Sequence, residues 1–199
     1  MRKNIYLKRS ISQTNLKKNL HTRNKIKLNK IINNIFISLD RKKDTFHSLS
    51  KKFNFSFKLS ELVRFNKYKY IILIGMGGST LGAQSIYSFC AEKIKKNFFF
   101  FDNLDQQKIQ KLKKNIDLKK CLFIIISKSG NTLETLVNSN LFKDNINKKN
   151  TIIISEKKSN LLNSFAKNKN ILHIEHKNYI GGRYSVLSEV GMVPAYFMG

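Results

Sequence analysis

Five short runs of residues, apolar at successive positions, constrain this chain more than any other feature. They are Tyr70–Ile74, Phe98–Asp102, Leu122–Ser127, Thr151–Ser155 and Ile171–Glu175. A strand wetted on one face alternates apolar and polar residues, whereas a continuously apolar strand must be covered on both faces. Candidate helices fill the intervals: Ser79–Lys96, Leu104–Asn115, Thr132–Asn145 and Lys158–Lys167. Strand and helix in alternation predict an α/β fold, a doubly wound five-stranded parallel sheet built by right-handed crossovers. In the strand order 2-1-3-4-5 the first and third strands are neighbours, and a ligand crevice opens at their carboxyl ends.

Those two strands end in the two most unusual stretches of the chain. Gly75-Met76-Gly77-Gly78-Ser79 follows the first, and Ser127-Lys128-Ser129-Gly130-Asn131-Thr132 follows the third. A small-residue turn between a buried strand and a helix start offers unpaired N–H groups and the positive end of a helix dipole to an anion. Ser79, Thr80, Ser127, Ser129 and Thr132 add five hydroxyls around the two turns. Together they point to a bound phosphate ester, with Ser127, Ser129 and Thr132 as hydroxyl donors and Lys128 as a charge or a solvent-facing side chain. Read as packing alone, the first turn needs small residues for strand–helix contact, and Ser79 or Thr132 would be simple helix caps. A third stretch, Gly181-Gly182-Arg183, has a backbone able to bend so that the guanidinium enters a neighbouring cleft, where it could stabilise a developing oxyanion.

Other chemistries fit less well. A dinucleotide fingerprint needs glycine at position 80, which holds Thr80, although Asp102 could mimic the ribose-binding acid. A P-loop needs Gly-Lys-Ser/Thr, which does not follow the strand. His21, His47, His173 and His176 show no ligand pairing, and no metal or organic cofactor is expected. Cys90 and Cys121 lie among apolar neighbours without metal-ligand spacing, as reduced buried thiols of a cytoplasmic protein do. The net charge of +26 raises nucleic acid or an anionic membrane as partners. However, the lysines are spread through the chain among Asn, Ile and Phe, residues that share A/T-rich codons, and no nucleic-acid-binding signature accompanies them. No apolar run approaches the roughly 20 residues that span a bilayer. Neither nucleic acid nor membrane is therefore expected as a partner.

The chain is expected to divide into a polar helical extension over 1–66, a phosphate-ester-binding α/β domain over 67–178, and a connecting segment over 179–199. The first 39 residues contain no Asp or Glu, and Arg2, Lys3, Lys8, Arg9, Lys17 and Lys18 make them basic. That loosely resembles a transit peptide, but lysine and asparagine outweigh arginine and serine. Ile26, Leu28, Ile31, Ile32, Ile35, Phe36 and Leu39 recur at helical spacing, a stripe expected to pack on the main domain. Val190, Met192, Val193, Tyr196, Phe197 and Met198 are expected to form a bare apolar face awaiting further chain or a partner.

Three stretches together resemble the phosphoglucose isomerase family: residues 75–82, Gly-Met-Gly-Gly-Ser-Thr-Leu-Gly; residues 127–135, Ser-Lys-Ser-Gly-Asn-Thr-Leu-Glu-Thr; and residues 181–188, Gly-Gly-Arg-Tyr-Ser-Val-Leu-Ser. The likeness is strong from Lys69 onward. It implies a sugar-isomerase (SIS) domain of flavodoxin-like strand order, binding glucose 6-phosphate or fructose 6-phosphate. By the family pattern, Ser127, Lys128, Ser129, Gly130, Asn131 and Thr132 surround the phosphate, Gly78 and Ser79 contact the substrate, and Arg183 lies near the sugar C1–C2 oxygens. The implied reaction is aldose–ketose isomerisation through a cis-enediolate, a step of glycolysis and gluconeogenesis, in a cytoplasmic homodimer. Ser129 stands where the family has threonine, and Glu189 where it has a small residue or proline. The family's second SIS domain, which carries the glutamate base, a histidine and a lysine, has no counterpart in these 199 residues. The resemblance thus implies an amino-terminal half; the alternative is a non-catalytic phosphosugar-binding SIS module.

Overall fold

A computed structural model describes residues 18–199, with side chains from Arg23 onward. His21 and the basic residues Arg2 to Lys18 therefore lie outside the described side chains. Strands β1 (Tyr70–Gly75), β2 (Asn97–Phe101), β3 (Cys121–Ile126), β4 (Thr151–Ser155) and β5 (Leu172–Glu175) form one parallel sheet in the order β2-β1-β3-β4-β5. This is the expected doubly wound arrangement. Every residue of β3 and β4 is buried, as are Ile71–Gly75 of β1, while the outer strands β2 and β5 are partly exposed. Burying one Ile or Leu contributes roughly 1.5–3 kcal/mol, so the continuous apolar runs hold the centre of the sheet.

Two apolar layers flank the sheet. Ile71, Leu73, Leu122, Ile124 and Ile126 face one, and Ile72, Ile74, Phe123, Ile125 and Ile153 face the other. The helices are α1 (Lys18–Asp40), α2 (Leu59–Val63), α3 (Gly78–Phe89), α4 (Gln106–Asn115), α5 (Leu133–Leu141), α6 (Leu161–Asn168) and α7 (Glu189–Met198). Register places Gly75 opposite Ile126, so the turns after β1 and β3 leave the sheet side by side at the same level. The site depends on that adjacency.

Two expectations are corrected. Most of the stripe of α1 does not pack on the domain: Ile26, Leu28, Ile31, Ile32 and Phe36 are exposed, and only Ile35 and Leu39 are partly buried. The helix meets the rest of the molecule near its end, where Leu39 O lies 2.8 Å from His47 Nδ1 and Asp40 pairs with Lys52 at 2.8 Å. Periodicity identified the apolar face but not what lies against it. The segment ending at Gly199 differs in the opposite sense. Val190, Val193, Phe197 and Met198 are buried, because α7 lies along α3 and joins the same layer as Ile71 and Leu122. Only Met192 and Tyr196 of the expected bare face are partly exposed. Glu189, unexplained by sequence, is fully buried at the start of α7 and accepts the Ser56 N–H at 2.8 Å.

Helix ends also shift inward. The helix expected from Lys158 starts at Leu161, since Asn160 caps it by accepting the Asn163 N–H at 2.8 Å. Cys121 is buried, and burial together with Asp117 pushes its thiol up to about 12, whereas Cys90 at the end of α3 is partly exposed.

Candidate functional site

Helices α4, α6 and α7 begin with Asp105, Asn160 and Ser188, whose side chains accept N–H groups of the first turn. Helices α3 and α5 begin with Gly77 and Thr132 and have no such side-chain cap. At α3 the Ser79 and Thr80 N–H groups donate to Met76 O at 3.1 Å and Gly77 O at 3.0 Å, so it is chiefly α5 that keeps first-turn donors available to an anion.

The hydroxyl of Thr132 meets its neighbours' hydroxyls instead of capping the helix. It lies 2.8 Å from Ser127 Oγ and 3.5 Å from Ser129 Oγ, and Ser127 Oγ is 3.5 Å from Ser129 Oγ. Three hydroxyls thus meet at the mouth of α5. Ser127 is almost completely buried and shapes the turn from beneath, accepting the Gly130 N–H at 3.2 Å. Ser129 is exposed and Thr132 partly so. Gly130 has φ +71°, and a Cβ there would meet Asn160 Oδ1 at 2.0 Å, so only glycine satisfies both backbone and space. Asn131 turns away, its Oδ1 accepting the Leu161 N–H at 2.9 Å.

The other turn is defined by close approach. A Cβ on Gly78 would lie 2.0 Å from the Gly182 carbonyl oxygen, so the segment 181–185 rests directly on the start of α3. Ser185 donates to Gly182 O at 2.7 Å and bends that segment back on itself. A cleft of about 350 Å³ lies between the turns, lined by Met76, Gly78, Ser79, Lys128, Ser129, Thr132, Glu156, Lys158 and Gly182.

The structure therefore brings Gly78, Ser79, Lys128, Ser129 and Thr132 to one cleft, sets Ser127 and Gly130 behind it, and leaves Asn131 outside. The Arg183 side chain is exposed, with Cζ 5.9 Å from the Tyr184 ring centroid. It lines an adjoining cleft of about 550 Å³ with Asp44, Phe46, Leu49 and Leu187. Sequence reasoning missed Glu156 and Lys158. Their signal was position: they directly follow β4, next to β3, at the carboxyl edge of the sheet. Glu156 is buried and its two oxygens face the ammonium groups of Lys128, at 3.8 Å, and Lys158. His176 lies just beyond β5, and burial holds its pKa below the ordinary value. Burial lowers His173 in the same way, and its Nε2 lies 2.8 Å from Ser155 Oγ. Among the described residues no three His, Cys, Asp or Glu side chains converge as metal ligands, and no helix is long and apolar enough to cross a membrane.

A family model, phosphoglucose isomerase, matches residues 2–199. The chain belongs to that family. It is similar to the glucose-6-phosphate isomerase of Methanocaldococcus jannaschii, 38% identical over 137 residues, covering 67% of this chain and 34% of that protein. It is likewise similar to the glucose-6-phosphate isomerase of Borreliella afzelii, 37% identical over 142 residues, with 64% and 26% covered. Among solved structures, a glucose-6-phosphate isomerase from Chlamydia trachomatis superposes with a TM-score of 0.63 at 27% identity, over 72% of this chain and 29% of that one. A hypothetical protein from Thermus thermophilus shares the fold, with a TM-score of 0.72 at 24% identity over 89% of this chain and 45% of that one. The chain spans about a third of the length of the curated phosphoglucose isomerase relatives that it matches.

Proposed function

We propose that this chain supplies the sugar-phosphate-binding part of a glucose-6-phosphate isomerase, which interconverts glucose 6-phosphate and fructose 6-phosphate. The observation that carries the reading is the cluster of Ser127, Ser129 and Thr132 hydroxyls at the uncapped start of α5, facing the glycine turn of α3. The phosphate takes the exposed hydroxyls and first-turn N–H groups, and the sugar runs past Gly78, Ser79 and Gly182. Arg183, one residue from the cleft wall, turns from Tyr184 toward the C1–C2 oxygens and stabilises the negative charge of the enediolate. Moving a proton between C2 and C1 requires a placed base. Glu156, which lines the cleft, is occupied by Lys128 and Lys158. The base, with the histidine and lysine that serve ring opening, belongs in this reading to the family's further SIS domain. A cytoplasmic homodimer is the assembly the reading assigns to the whole protein.

The 199-residue chain alone then binds fructose 6-phosphate without turning it over. Titration calorimetry checks this, with Ser129→Ala and Thr132→Ala each weakening binding roughly tenfold, the loss of one charge-assisted hydrogen bond. No binding by the wild-type chain, or binding indifferent to both substitutions, would overturn the reading. Turnover in a coupled assay would place a base within these residues.

A further inference from the structure

Lys128 sits in the middle of the hydroxyl turn, where a cation is expected to face the anion. Its ammonium is engaged elsewhere. Nζ donates to Asn178 O at 2.7 Å and to Ile180 O at 2.9 Å, and lies 3.8 Å from Glu156 Oε1. An ammonium has three donors, so two are committed to one stretch of backbone and the third is available to a buried carboxylate. Glu156 is fixed in turn: its N–H donates to Lys128 O at 3.0 Å, and its other oxygen pairs with Lys158.

The backbone held in this way leads into Gly181-Gly182-Arg183. Residues 176–181 lie in neither helix nor strand, so side chains supply much of their anchoring. Thr45 Oγ1 donates to Tyr179 O at 2.9 Å, and Lys177 Nζ donates to Asn54 O at 2.7 Å. Both of those ties run to residues before α2. The two bonds from Lys128 join this loop to the hydroxyl turn itself. They set where Gly182 meets Gly78 and from where Arg183 reaches.

We propose that Lys128 is a positioning residue, which couples the phosphate-holding turn to the loop presenting Gly182 and Arg183 to the sugar, and is not a phosphate ligand. The proposal rests on the phosphate-ester reading of the cleft. A ligand lysine and a positioning lysine differ in what they do to two probes. Inorganic phosphate meets only the turn, whereas fructose 6-phosphate also meets the Gly182 side of the cleft.

The experiment titrates the full chain with each probe and follows amide exchange over 177–185 by mass spectrometry. With Lys128→Met, fructose 6-phosphate affinity is expected to fall roughly tenfold and exchange over 177–185 to rise, while inorganic phosphate affinity falls only about twofold through lost charge. Lys128→Arg, which keeps several donors on a long stem, is expected to restore most of the fructose 6-phosphate affinity and the protection. Equal losses for both probes with unchanged exchange would overturn the proposal. A second arm needs no variant: phosphate added to the wild-type chain leaves 177–185 protected if Lys128 positions the loop. Loosening of that segment on phosphate addition, as the ammonium is drawn off the carbonyls, would overturn it too. A wild-type chain that binds neither probe would overturn the cleft reading itself, and the proposal with it, a result distinct from equal losses.

Discussion

The two turns at the cleft reach a similar outcome by opposite means. The turn after β1 is specified by space: glycine is required because the Gly182 carbonyl stands where a side chain would be. The turn after β3 is specified by chemistry, with three hydroxyls gathered at one helix start and one glycine allowing the bend. A steric turn tolerates almost no added atom but makes few demands on polarity. A polar turn can lose a hydroxyl and still fold, at the expense of what it binds. On the proposed reading, stability and recognition are therefore carried on opposite walls of one cleft.

Substitution can break that contrast, starting from the largest expected effect. Gly78→Ala forces backbone apart and is expected to destabilise the chain by about 3 kcal/mol or more, read from the urea unfolding midpoint. Gly130→Ala strains a positive φ and presses on a side chain that can yield, so about 2 kcal/mol is expected in the same assay. Ser129→Ala is expected to move the midpoint by less than about 0.5 kcal/mol while weakening phosphate-ester binding roughly tenfold. If it unfolds the chain instead, the polar wall is structural and the contrast fails. Gly182→Ala meets open space and is expected to shift stability by under about 0.5 kcal/mol, the control that separates this glycine from its neighbour Gly78.

Acidification tests the region beyond the polar wall. His173 and His176 are held below the ordinary value of 6.5 by burial, so the unfolded chain binds protons there that the folded chain refuses. Stability contributed by their neutral forms is complete above pH 6.5 and is lost as pH falls from there toward the lower folded values. Unfolding midpoints should decline over that window, and His176→Gln should flatten part of the decline.

The sheet and its strand order were legible because continuous burial leaves a direct mark: Ile71 to Ile74 and Leu122 to Ile126 admit no exposed face. The hydroxyl turn was legible for a related reason, since three hydroxyls in six residues exceed what a helix cap requires. What stayed hidden concerns partners rather than patterns. The stripe of α1 and the apolar face of α7 look equivalent as sequence, yet one is largely exposed and the other lies in the core. Periodicity states which side of a helix is apolar and says nothing of whether the chain supplies a cover. The contacts of the Lys128 and Arg183 side chains stayed hidden for a different reason. Bonds to backbone carbonyls and stacking on an adjacent ring leave no signature in residue spacing.

The contrast between the two cysteines turns the chain into its own instrument. At neutral pH a maleimide should tag Cys90 alone, giving a single label at the far end of α3, roughly 18 Å from the cleft by the rise of a twelve-residue helix. Cys121, fully enclosed in β3 and with almost no thiolate, can react only after the sheet has opened. Its labelling rate would therefore time the rare opening of the whole domain, and the difference between the two rates would report how seldom the native molecule lets go of its centre.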